Sequence, residues 1–315
     1  MEVSKCRALL ETPIYKLNET VNDNIFYIKR DDLIPFSFGG NKARKAALFF
    51  DDIEAQRSDC VVTYGSGSSN HCRIVANISA SIGMPCYIIS PYESEKDTYN
   101  TKMMKLFGAH IIKCHVEQVR KTIDEVVVRL NKDGRKPYFI PGGGHGNIGT
   151  QAYVEAYKEI YEYEKRNNTK FNYIFHASGT GTTQAGLICG NLIYNGQHKI
   201  IGISNARKNP YGGNVVLNSV RDYLESLERE TVNIAQVDFV DDYVGDGYGK
   251  ANSHIIKTIK NILVNDGIPL DSTYTGKAFW GMEEYIKKNN IRNNKILFIH
   301  TGGTPLFYDD LRSEI

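Results

Sequence analysis

The sequence predicts an α/β protein of two domains, built from open, mostly parallel sheets with helices on both faces. Short apolar segments alternate with amphipathic segments along the chain, which is the pattern of buried strands joined by helical crossovers. A length of 315 residues leaves room for about two domains. Each glycine-rich loop follows an apolar segment, so ligands are expected at the carboxyl ends of the strands.

The predicted elements follow from the length and periodicity of the segments. Strands are predicted at residues 25–28, 60–63, 86–89, 110–112, 137–140, 173–177, 199–203 and 295–300. Helices are predicted for the amphipathic segments at residues 42–54, 70–82, 100–107 and 118–132. The polar stretch at residues 162–170 is predicted to be a surface connection or domain boundary.

The charge and the cysteines narrow the class of protein. The formal net charge is +2, and basic and acidic residues are interleaved, so neither a nucleic-acid groove nor a polybasic membrane anchor is indicated. The longest apolar runs are strand-sized, as at residues 296–299, which predicts no membrane span. Six cysteines occur without a Cys-x-x-Cys pair, and no secretory-type segment opens the chain. We therefore expect reduced thiols, a cytoplasmic location and a small-molecule partner.

The first candidate site is Gly39-Gly40-Asn41-Lys42, which leads into the helix predicted at residues 42–54. The two glycines allow a tight turn and a close approach of the backbone to a ligand. A lysine held rigidly at the start of a helix can form a Schiff base if its pKa is lowered. The alternative is a glycine turn before a helix whose lysines are solvated, so the interpretation of Lys42 depends on the motifs that accompany it.

The second candidate site is the loop Ser66-Gly67-Ser68-Ser69-Asn70-His71, between a predicted strand and a predicted helix. Backbone amides at a helix N-terminus favour an anion such as a carboxylate. The side chains of Ser69, Asn70 and His71 could orient a substrate or a phenolic oxygen. The alternative is that Ser69 or Asn70 only caps the helix and that His71 is an ordinary hydrogen-bonded histidine.

The third candidate site is the loop Ser178-Gly179-Thr180-Gly181-Thr182-Thr183-Gln184, again between a strand and a helix. Its backbone N–H groups and threonine hydroxyls could bind a phosphate. Dinucleotide binding is disfavoured because Gln184 stands at the third glycine position of the fingerprint and Ser204-Asn205, not an acidic residue, ends the next strand. Zinc-ligand spacing, a P-loop and a convincing nucleophile elbow are also missing from the sequence, so neither a metal nor an acyl-transfer triad is predicted.

Together these motifs resemble the fold type II pyridoxal-phosphate enzymes, and within them the D-cysteine desulfhydrase and 1-aminocyclopropane-1-carboxylate deaminase family. The resemblance extends in family order over nearly the whole chain. Besides the three candidate sites it rests on Thr12-Pro13-Ile14, Ile28-Lys29-Arg30-Asp31-Asp32, Gly245-Asp246-Gly247-Tyr248-Gly249, Tyr274-Thr275-Gly276-Lys277 and His300-Thr301-Gly302-Gly303. It implies a smaller α/β domain of residues 46–154, inserted into a cofactor-binding domain of residues 1–45 and 155–315, and a homodimer.

The resemblance also implies a role for each motif. Lys42 would form the Schiff base with pyridoxal 5'-phosphate, and Asn70 would contact the phenolic oxygen of the cofactor. Ser69 would bind the substrate carboxylate or move a proton. Tyr248 and Tyr274 would stand near the reacting carbon, although aromatic packing is the alternative for both. The residues that would hold the phosphate are Gly179, Thr180, Gly181, Thr182 and Thr183.

Thr275 bears on the choice of substrate. In this family the residue after the Tyr274 position lies near the pyridine nitrogen, and it is a glutamate where the substrate is the cyclopropane amino acid. A neutral hydroxyl supports a weaker electron sink than a carboxylate. That suits loss of an α-proton beside a β-thiol better than opening of a ring, and His71, where the deaminases tend to have glutamine, points the same way. Thr301 is assigned to the same cofactor site.

The predicted reaction is therefore the α,β-elimination of D-cysteine or a similar β-substituted amino acid to pyruvate, ammonia and sulfide. Three departures from the family pattern leave the substrate open. Ser68 replaces a usual glutamine, Asp246 replaces a common proline, and His145 stands where a serine or asparagine pair is usual; Ser68 and His145 are candidate substrate contacts. The alternatives are a deaminase for the cyclopropane amino acid, a biosynthetic β-replacement enzyme like cysteine synthase, and a non-catalytic cofactor binder.

Overall fold

The computed structural model describes residues 10–94, 97–229 and 237–312. Its strands form one sheet of six strands and one of four. In chain order the strands are β1 (Ile14–Lys16), β2 (Ile25–Arg30), β3 (Cys60–Tyr64), β4 (Cys86–Pro91), β5 (His110–Cys114), β6 (Pro137–Phe139), β7 (Tyr173–Ser178), β8 (Lys199–Ser204), β9 (Phe239–Val240) and β10 (Lys295–His300). The α-helices of the described residues are α1 (Asn41–Ala55), α2 (Asn70–Ser81), α3 (Tyr99–Leu106), α4 (Val119–Lys132), α5 (Asn147–Arg166), α6 (Thr182–Ile193), α7 (Tyr211–Ser226), α8 (Ser253–Asp266), α9 (Thr275–Lys288) and α10 (Thr304–Arg312).

The larger sheet has the strand order β1-β2-β10-β7-β8-β9 and is parallel except for β1 at its edge. Helices cover both faces, so strand β10 is apolar at successive positions, as a strand buried on two sides must be. Phe298 packs with the α8 and α9 side chains, represented by Ile259 and Phe279. Its neighbour Leu297 packs on the other face, against residues of α5 and α6 such as Tyr157.

The smaller sheet has the strand order β5-β4-β3-β6 and is parallel throughout. Helices α1, α2 and α3 cover one face, where Phe50 and Ile74 pack with Val61. Helix α4 covers the other face, where Val126 packs with Val62. The loops after β3 and β6 in this sheet lie close to the loops after β7, β8 and β10 in the larger sheet.

The predicted fold class is confirmed, and every strand and helix placed from the sequence occurs with its ends within two residues of the prediction. The prediction for residues 162–170 is wrong in part, because residues 162–166 continue α5 and the chain leaves the helix only at Asn167. The exposed end of α5 carries charged side chains that pair on the surface, such as Arg166 with Glu11 at 2.9 Å. An exposed helix end that is rich in charged residues is as polar as a loop, so polarity alone did not distinguish the two. The domain boundaries at residues 46 and 154 stay a prediction.

Candidate active site

A cavity of about 300 Å³ lies between the two sheets. Most of its lining comes from the loops after β3 and β6 in the smaller sheet and after β7, β8 and β10 in the larger sheet. These are the carboxyl ends of parallel strands, where open α/β sheets bind ligands. Of the residues singled out from the sequence, the lining contains Lys42, Ser69, Asn70, His71, Gly179, Thr180, Tyr248, Tyr274 and Thr301.

Lys42 is held in the cavity by the glycine turn that precedes α1. Gly40 has a φ of 96°, and a Cβ there would lie 2.7 Å from the carbonyl oxygen of Thr301, so a side chain does not fit. The Lys42 Nζ donates to the carbonyl oxygen of Gly143 at 2.9 Å. Burial and the charge of Arg207 lower the pKa of the Lys42 amine to about 8. About a tenth of the amine is therefore unprotonated at pH 7, far more than for an ordinary lysine, and attack on a carbonyl requires this form.

The loop before α2 both caps the helix and lines the cavity. Ser69 is the N-cap residue, and its Oγ accepts a hydrogen bond from the backbone N–H of Cys72 at 3.2 Å. Asn70 Oδ1 accepts from Asn100 Nδ2 at 2.9 Å. This bond engages the acceptor end of the Asn70 amide, so the NH₂ end is the group suited to donate to a ligand. Ser69 therefore caps α2 and also lines the cavity.

His71 is neutral and presents an acceptor nitrogen. The Thr63 hydroxyl donates to the carbonyl oxygen of Ile140 at 2.8 Å, so it accepts from His71 Nε2, which lies 2.9 Å away. The other ring nitrogen, Nδ1, is buried without a partner among the described residues. Burial and the charges of Lys42 and Lys45 lower the pKa of His71 to about 3, so the ring does not add positive charge to the cavity at neutral pH.

The loop after β7 leaves the start of α6 without a side-chain cap. Gly181 is the N-cap residue with a φ of 101°, and no side chain caps the helix, so the first backbone N–H groups of α6 suit an anion. Lys45 is fully buried and donates from Nζ to the hydroxyl of Thr182 at 2.7 Å. Thr183 Oγ1 accepts from Asn41 Nδ2 at 3.1 Å, which joins the starts of α1 and α6.

A buried amine beside an uncapped helix N-terminus, in one cavity between two α/β sheets, suits an aldehyde that carries a phosphate. The family described as "Pyridoxal-phosphate dependent enzyme" matches residues 7–302. The chain belongs to this family of pyridoxal-phosphate-dependent enzymes. It is 31% identical over 314 residues to the D-cysteine desulfhydrase of Serratia proteamaculans, covering 94% of this chain and 92% of that protein.

Two further relatives of this pyridoxal-phosphate enzyme carry the second name of the resembled family, 1-aminocyclopropane-1-carboxylate (ACC) deaminase. A putative 1-aminocyclopropane-1-carboxylate deaminase from Pyrococcus abyssi is 33% identical over 283 residues, which are 89% of this chain and 84% of that protein. The crystal structure of an ACC deaminase homologue matches with a TM-score of 0.87 at 31% identity, over 100% of this chain and 99% of that chain. The fold type II recognition and the cofactor predicted from the sequence are therefore confirmed.

The residues of the cavity fit pyridoxal phosphate. Lys42 would supply the amine for the aldehyde, and the α6 N-terminus with Lys45 would supply donors for the phosphate. The cradle is narrow, since a Cβ on Gly143 would lie 2.6 Å from the Thr180 Cγ2. The individual contacts that the resemblance assigns to Asn70 and to the Gly179 to Thr183 loop stay predictions.

Tyr248 and Tyr274 form a pair of phenols in the cavity wall. Their hydroxyl groups hydrogen-bond to each other, and their rings meet edge to face with centroids 5.8 Å apart. Burial and the neighbouring Tyr248 raise the pKa of Tyr274 well above its usual value. Tyr274 therefore stays protonated at neutral pH and is able to donate a proton or a hydrogen bond.

A buried lysine fixes the loop that carries Tyr248. Lys277 Nζ donates to the carbonyl oxygens of Val244 and Gly247, both at 2.8 Å. We expect Lys277→Met to lower kcat about 10- to 100-fold by loosening Tyr248, as misplacement of a reacting group by about 1 Å does. Lys287→Met, on the exposed face of the same helix, is the control and should change kcat less than about 2-fold. Equal kcat values for the two variants would contradict the positioning role.

Thr275 lies behind the cavity wall and is fully buried. Its hydroxyl donates to Asp271 Oδ2 at 2.8 Å and accepts from the Asp271 backbone N–H at 3.0 Å. Burial and the neighbouring Asp310 raise the pKa of the Asp271 carboxyl to about 7. The residue predicted to lie near the pyridine nitrogen is therefore coupled to a carboxyl group that sequence analysis did not consider.

The remaining candidates lie beside the cavity and not in its lining. Ser68 is buried, and its hydroxyl pairs with that of Ser66 at 3.2 Å. His145 hydrogen-bonds the backbone of Thr180, and burial lowers its pKa. Gly181, Thr182 and Thr183 form the start of α6 behind Thr180. Substrate contacts by Ser68 and His145 stay predictions.

Sequence analysis missed Asn205 and Arg207, which line the cavity from the loop after β8. The general rule that ligands collect at the carboxyl ends of strands could have indicated them. In the residues that the structure describes, no cluster of three or more His, Cys, Asp or Glu side chains is placed to hold a metal ion. Over the same ranges no helix has the length and apolarity of a membrane span. Cys60, Cys72, Cys86, Cys114 and Cys189 are free and buried, whereas Cys6 lies outside the described residues.

Proposed function

We propose that this enzyme eliminates the β-substituent of D-cysteine or a similar amino acid, giving pyruvate, ammonia and sulfide. One observation carries the proposal: an amine with a pKa of about 8 and a protonated phenol line the same small cavity. Elimination needs such a pair, a base for the α-proton and an acid for the leaving group. The relative from Serratia proteamaculans, named D-cysteine desulfhydrase, supports the same reaction.

Each group has a part in the proposed reaction. The α2 N-terminus with Ser69 and Asn70 binds the substrate carboxylate. Pyridoxal phosphate, when bound, supplies the electron sink for the charge at the α-carbon. Lys42 Nζ takes the α-proton, and the Tyr274 hydroxyl donates to the sulfur as the carbon–sulfur bond breaks and the thiolate takes the electron pair. Cysteine and one water then yield pyruvate, ammonia and hydrogen sulfide, which balances the atoms.

Deamination of 1-aminocyclopropane-1-carboxylate is the second candidate, because the relative from Pyrococcus abyssi and the structural neighbour carry that name. The neutral Thr275 in place of the family's glutamate favours elimination from a thiol. Asp271, which accepts a hydrogen bond from the Thr275 hydroxyl, supplies a carboxyl group that acts only through Thr275. Elimination and deamination are therefore distinguished by a substrate assay.

The test is to supply the cofactor-loaded protein separately with D-cysteine, L-cysteine, D-serine, O-acetylserine and 1-aminocyclopropane-1-carboxylate. Sulfide, ammonia and 2-oxo acid are measured beside the visible absorbance of the bound cofactor. Sulfide and pyruvate from D-cysteine are expected, with slower reaction of D-serine because hydroxide is a poorer leaving group. Ammonia and 2-oxobutyrate from the cyclopropane substrate would establish the deaminase instead. An absorbance change without product would favour β-replacement, and no response to any compound would favour a non-catalytic binder.

We also propose the homodimer, the cytoplasmic location and the domain division at residues 46–154 that the sequence predicts. Light scattering on the purified protein measures the first, and cell fractionation measures the second. Hydrogen exchange tests the third, since residues 46–154 are expected to exchange as a unit separate from the rest of the chain.

A further inference from the structure

Arg207 is a cation in the cavity wall, and it makes no side-chain hydrogen bond or ion pair with the residues that the structure describes. It follows β8 and lines the cavity beside Asn205. Its Nη1 atom is buried and makes no hydrogen bond to any described residue. None of the described residues in the cavity lining is an Asp or a Glu. A buried charged nitrogen without a partner is costly, and such groups are normally paired or hydrogen-bonded.

The position of Arg207 is fixed by its loop and by an aromatic ring. The Ser204 hydroxyl donates to the Arg207 carbonyl oxygen at 2.6 Å. The guanidinium carbon lies 5.3 Å from the ring centroid of Tyr211, a stacking contact that orients the planar group. Farther along the loop, Asn209 Nδ2 donates to the carbonyl oxygen of Phe239 at 2.9 Å. The backbone of the loop is therefore fixed by hydrogen bonds, and the Tyr211 ring favours one orientation of the guanidinium.

The two anions of the proposed reaction already have separate sites. The cofactor phosphate has the uncapped N-terminus of α6 with the buried Lys45. The substrate carboxylate has the N-terminus of α2 with Ser69 and Asn70. Once Lys42 is bonded to an aldehyde, Arg207 is the remaining cation among the lining residues. Neither the phosphate site nor the carboxylate site includes it. A third anion in the cavity would give the buried Nη1 of Arg207 its missing partner.

We propose that Arg207 binds a negatively charged group on the β-carbon of the substrate, so that the enzyme prefers amino acids whose β-substituent is an oxyanion such as a phosphate ester. A guanidinium matches the oxygens of such a group with two parallel hydrogen bonds. This inference rests on the proposed elimination and names its substrate class. Arg207 also stabilises the charge that collects on the leaving group as its bond to carbon breaks.

The reaction balances for this substrate class. Loss of the α-proton leaves an electron pair that forms the carbon–carbon double bond, and the β-carbon to oxygen bond breaks with its electrons on the phosphate. O-Phosphoserine and one water then give pyruvate, ammonia and phosphate. O-Acetylserine reacts in the same way to acetate, pyruvate and ammonia, but its β-substituent is neutral. The two compounds thus differ in the charge that Arg207 would bind.

The experiment compares both enantiomers of O-phosphoserine and O-acetylserine on the cofactor-loaded enzyme. Dissociation constants from cofactor absorbance and KM values from pyruvate release are both measured. We expect Arg207→Gln to weaken O-phosphoserine binding about 10- to 100-fold, the loss typical of a charge-assisted hydrogen bond. O-Acetylserine binding should change less than about 3-fold. Arg207→Lys, which keeps the charge but not the planar fork, should fall between the wild type and Arg207→Gln.

Lys208→Gln is the matched control, because Lys208 is the exposed cation next to Arg207 and its loss should leave both binding constants within about 2-fold. Equal binding of the two compounds by the wild type would overturn the inference. So would an Arg207→Gln variant that loses cofactor affinity while its preference for the charged compound persists, since Arg207 would then serve the cofactor phosphate. If Arg207→Gln does not fold, Arg207→Lys and the wild-type preference still decide.

The same measurements separate this inference from the proposed function. Turnover of D-cysteine by a wild type that does not favour O-phosphoserine would leave the elimination standing and remove the role of Arg207. Tight, Arg207-dependent binding of O-phosphoserine by a protein that turns over no amino acid would support the Arg207 site and remove the elimination.

Discussion

Replacing Lys42 by alanine is expected to lower turnover of the best substrate by about 10³-fold or more. Lys42 supplies both the amine that attaches the cofactor and the base for the α-proton in the proposed reaction. Its Nζ lies against Gly143 in the cavity, and its pKa of about 8 leaves the neutral amine populated. A side chain without nitrogen can do neither task. The visible absorbance of the Schiff base should disappear with the activity.

The control is the Lys42→Arg variant, which keeps a positive charge at this position but not a nucleophilic amine. We expect no recovery of turnover in this variant. Borohydride reduction of the wild type, followed by peptide mass measurement, should place the cofactor on Lys42. Attachment to the nearby Lys45, or an active Lys42→Ala enzyme that keeps its absorbance, would contradict the assignment.

The strands and the glycine loops could be predicted because their signals are local. An apolar run such as residues 295–300 is required wherever a parallel strand is covered on both faces. Gly40 and Gly181 have positive φ values, and glycine is the residue that accepts them without strain. The three loops around Lys42, Ser69 and Gly179 were therefore visible in sequence, and the structure brings all three to one cavity.

The orientation of single side chains could not be predicted in the same way. Thr275 and Thr301 were assigned to the cofactor site together, yet Thr301 lines the cavity and Thr275 lies behind it, bonded to Asp271. Which side of a turn faces the ligand depends on packing with distant elements. For Arg207 the strand-end rule could have indicated the loop, but only the three-dimensional structure shows that its Nη1 is buried without a hydrogen-bond partner among the described residues.

Long-range charge pairs were also invisible in the sequence. Nothing in the sequence indicates that Lys29, Asp31 and Arg44 pair with distant charges, but all three are buried. Arg44 Nη2 lies 2.8 Å from Asp31 Oδ1, and Arg44 Nη1 lies 2.5 Å from Glu159 Oε1. Lys29 Nζ lies 2.5 Å from Glu159 Oε2. The residue separations of 115 and 130 that join Glu159 to Arg44 and Lys29 exceed any local pattern.

Breaking this network by Asp31→Asn is expected to destabilise the protein by about 3–5 kcal/mol, the cost of removing one partner of a buried ion pair. Asp31 accepts from Arg44 Nε and Nη2, from the Tyr153 hydroxyl at 2.7 Å and from the Thr12 hydroxyl at 2.8 Å. The amide that replaces the carboxylate keeps its shape but loses its charge. Thermal unfolding should occur about 5–8 °C lower.

The control is Asp124→Asn, which breaks the exposed pair with Arg120 at 3.1 Å on α4. Exposed pairs four residues apart contribute about 0.3–0.5 kcal/mol, so the unfolding temperature should hardly move. Equal decreases of the unfolding temperature in the two variants would show that burial does not increase the contribution of the Asp31 pair to stability.

The pH dependence of stability follows from the same contacts. The charges of Arg44 and Lys29 and the hydrogen bonds to Asp31 lower the pKa of its carboxyl below the usual 3.8, against the opposing effect of burial. The stability from ionised Asp31 is therefore present above about pH 4 and is lost as the pH falls through the lower pKa of the folded state. The Asp31→Asn variant should lack this part of the acid transition.

The network also connects stability to the cofactor site. Arg44 lies two residues after Lys42 on α1, and the carbonyl oxygen of Asp31 accepts from the backbone N–H of Gly40 at 2.7 Å. Loss of the Asp31 carboxylate should therefore disturb the turn that aims Lys42 as well as the core beneath it. We expect Asp31→Asn to bind pyridoxal phosphate more weakly even at temperatures where it stays folded. Unchanged cofactor affinity in a folded Asp31→Asn protein would show that the network contributes to stability and not to cofactor binding.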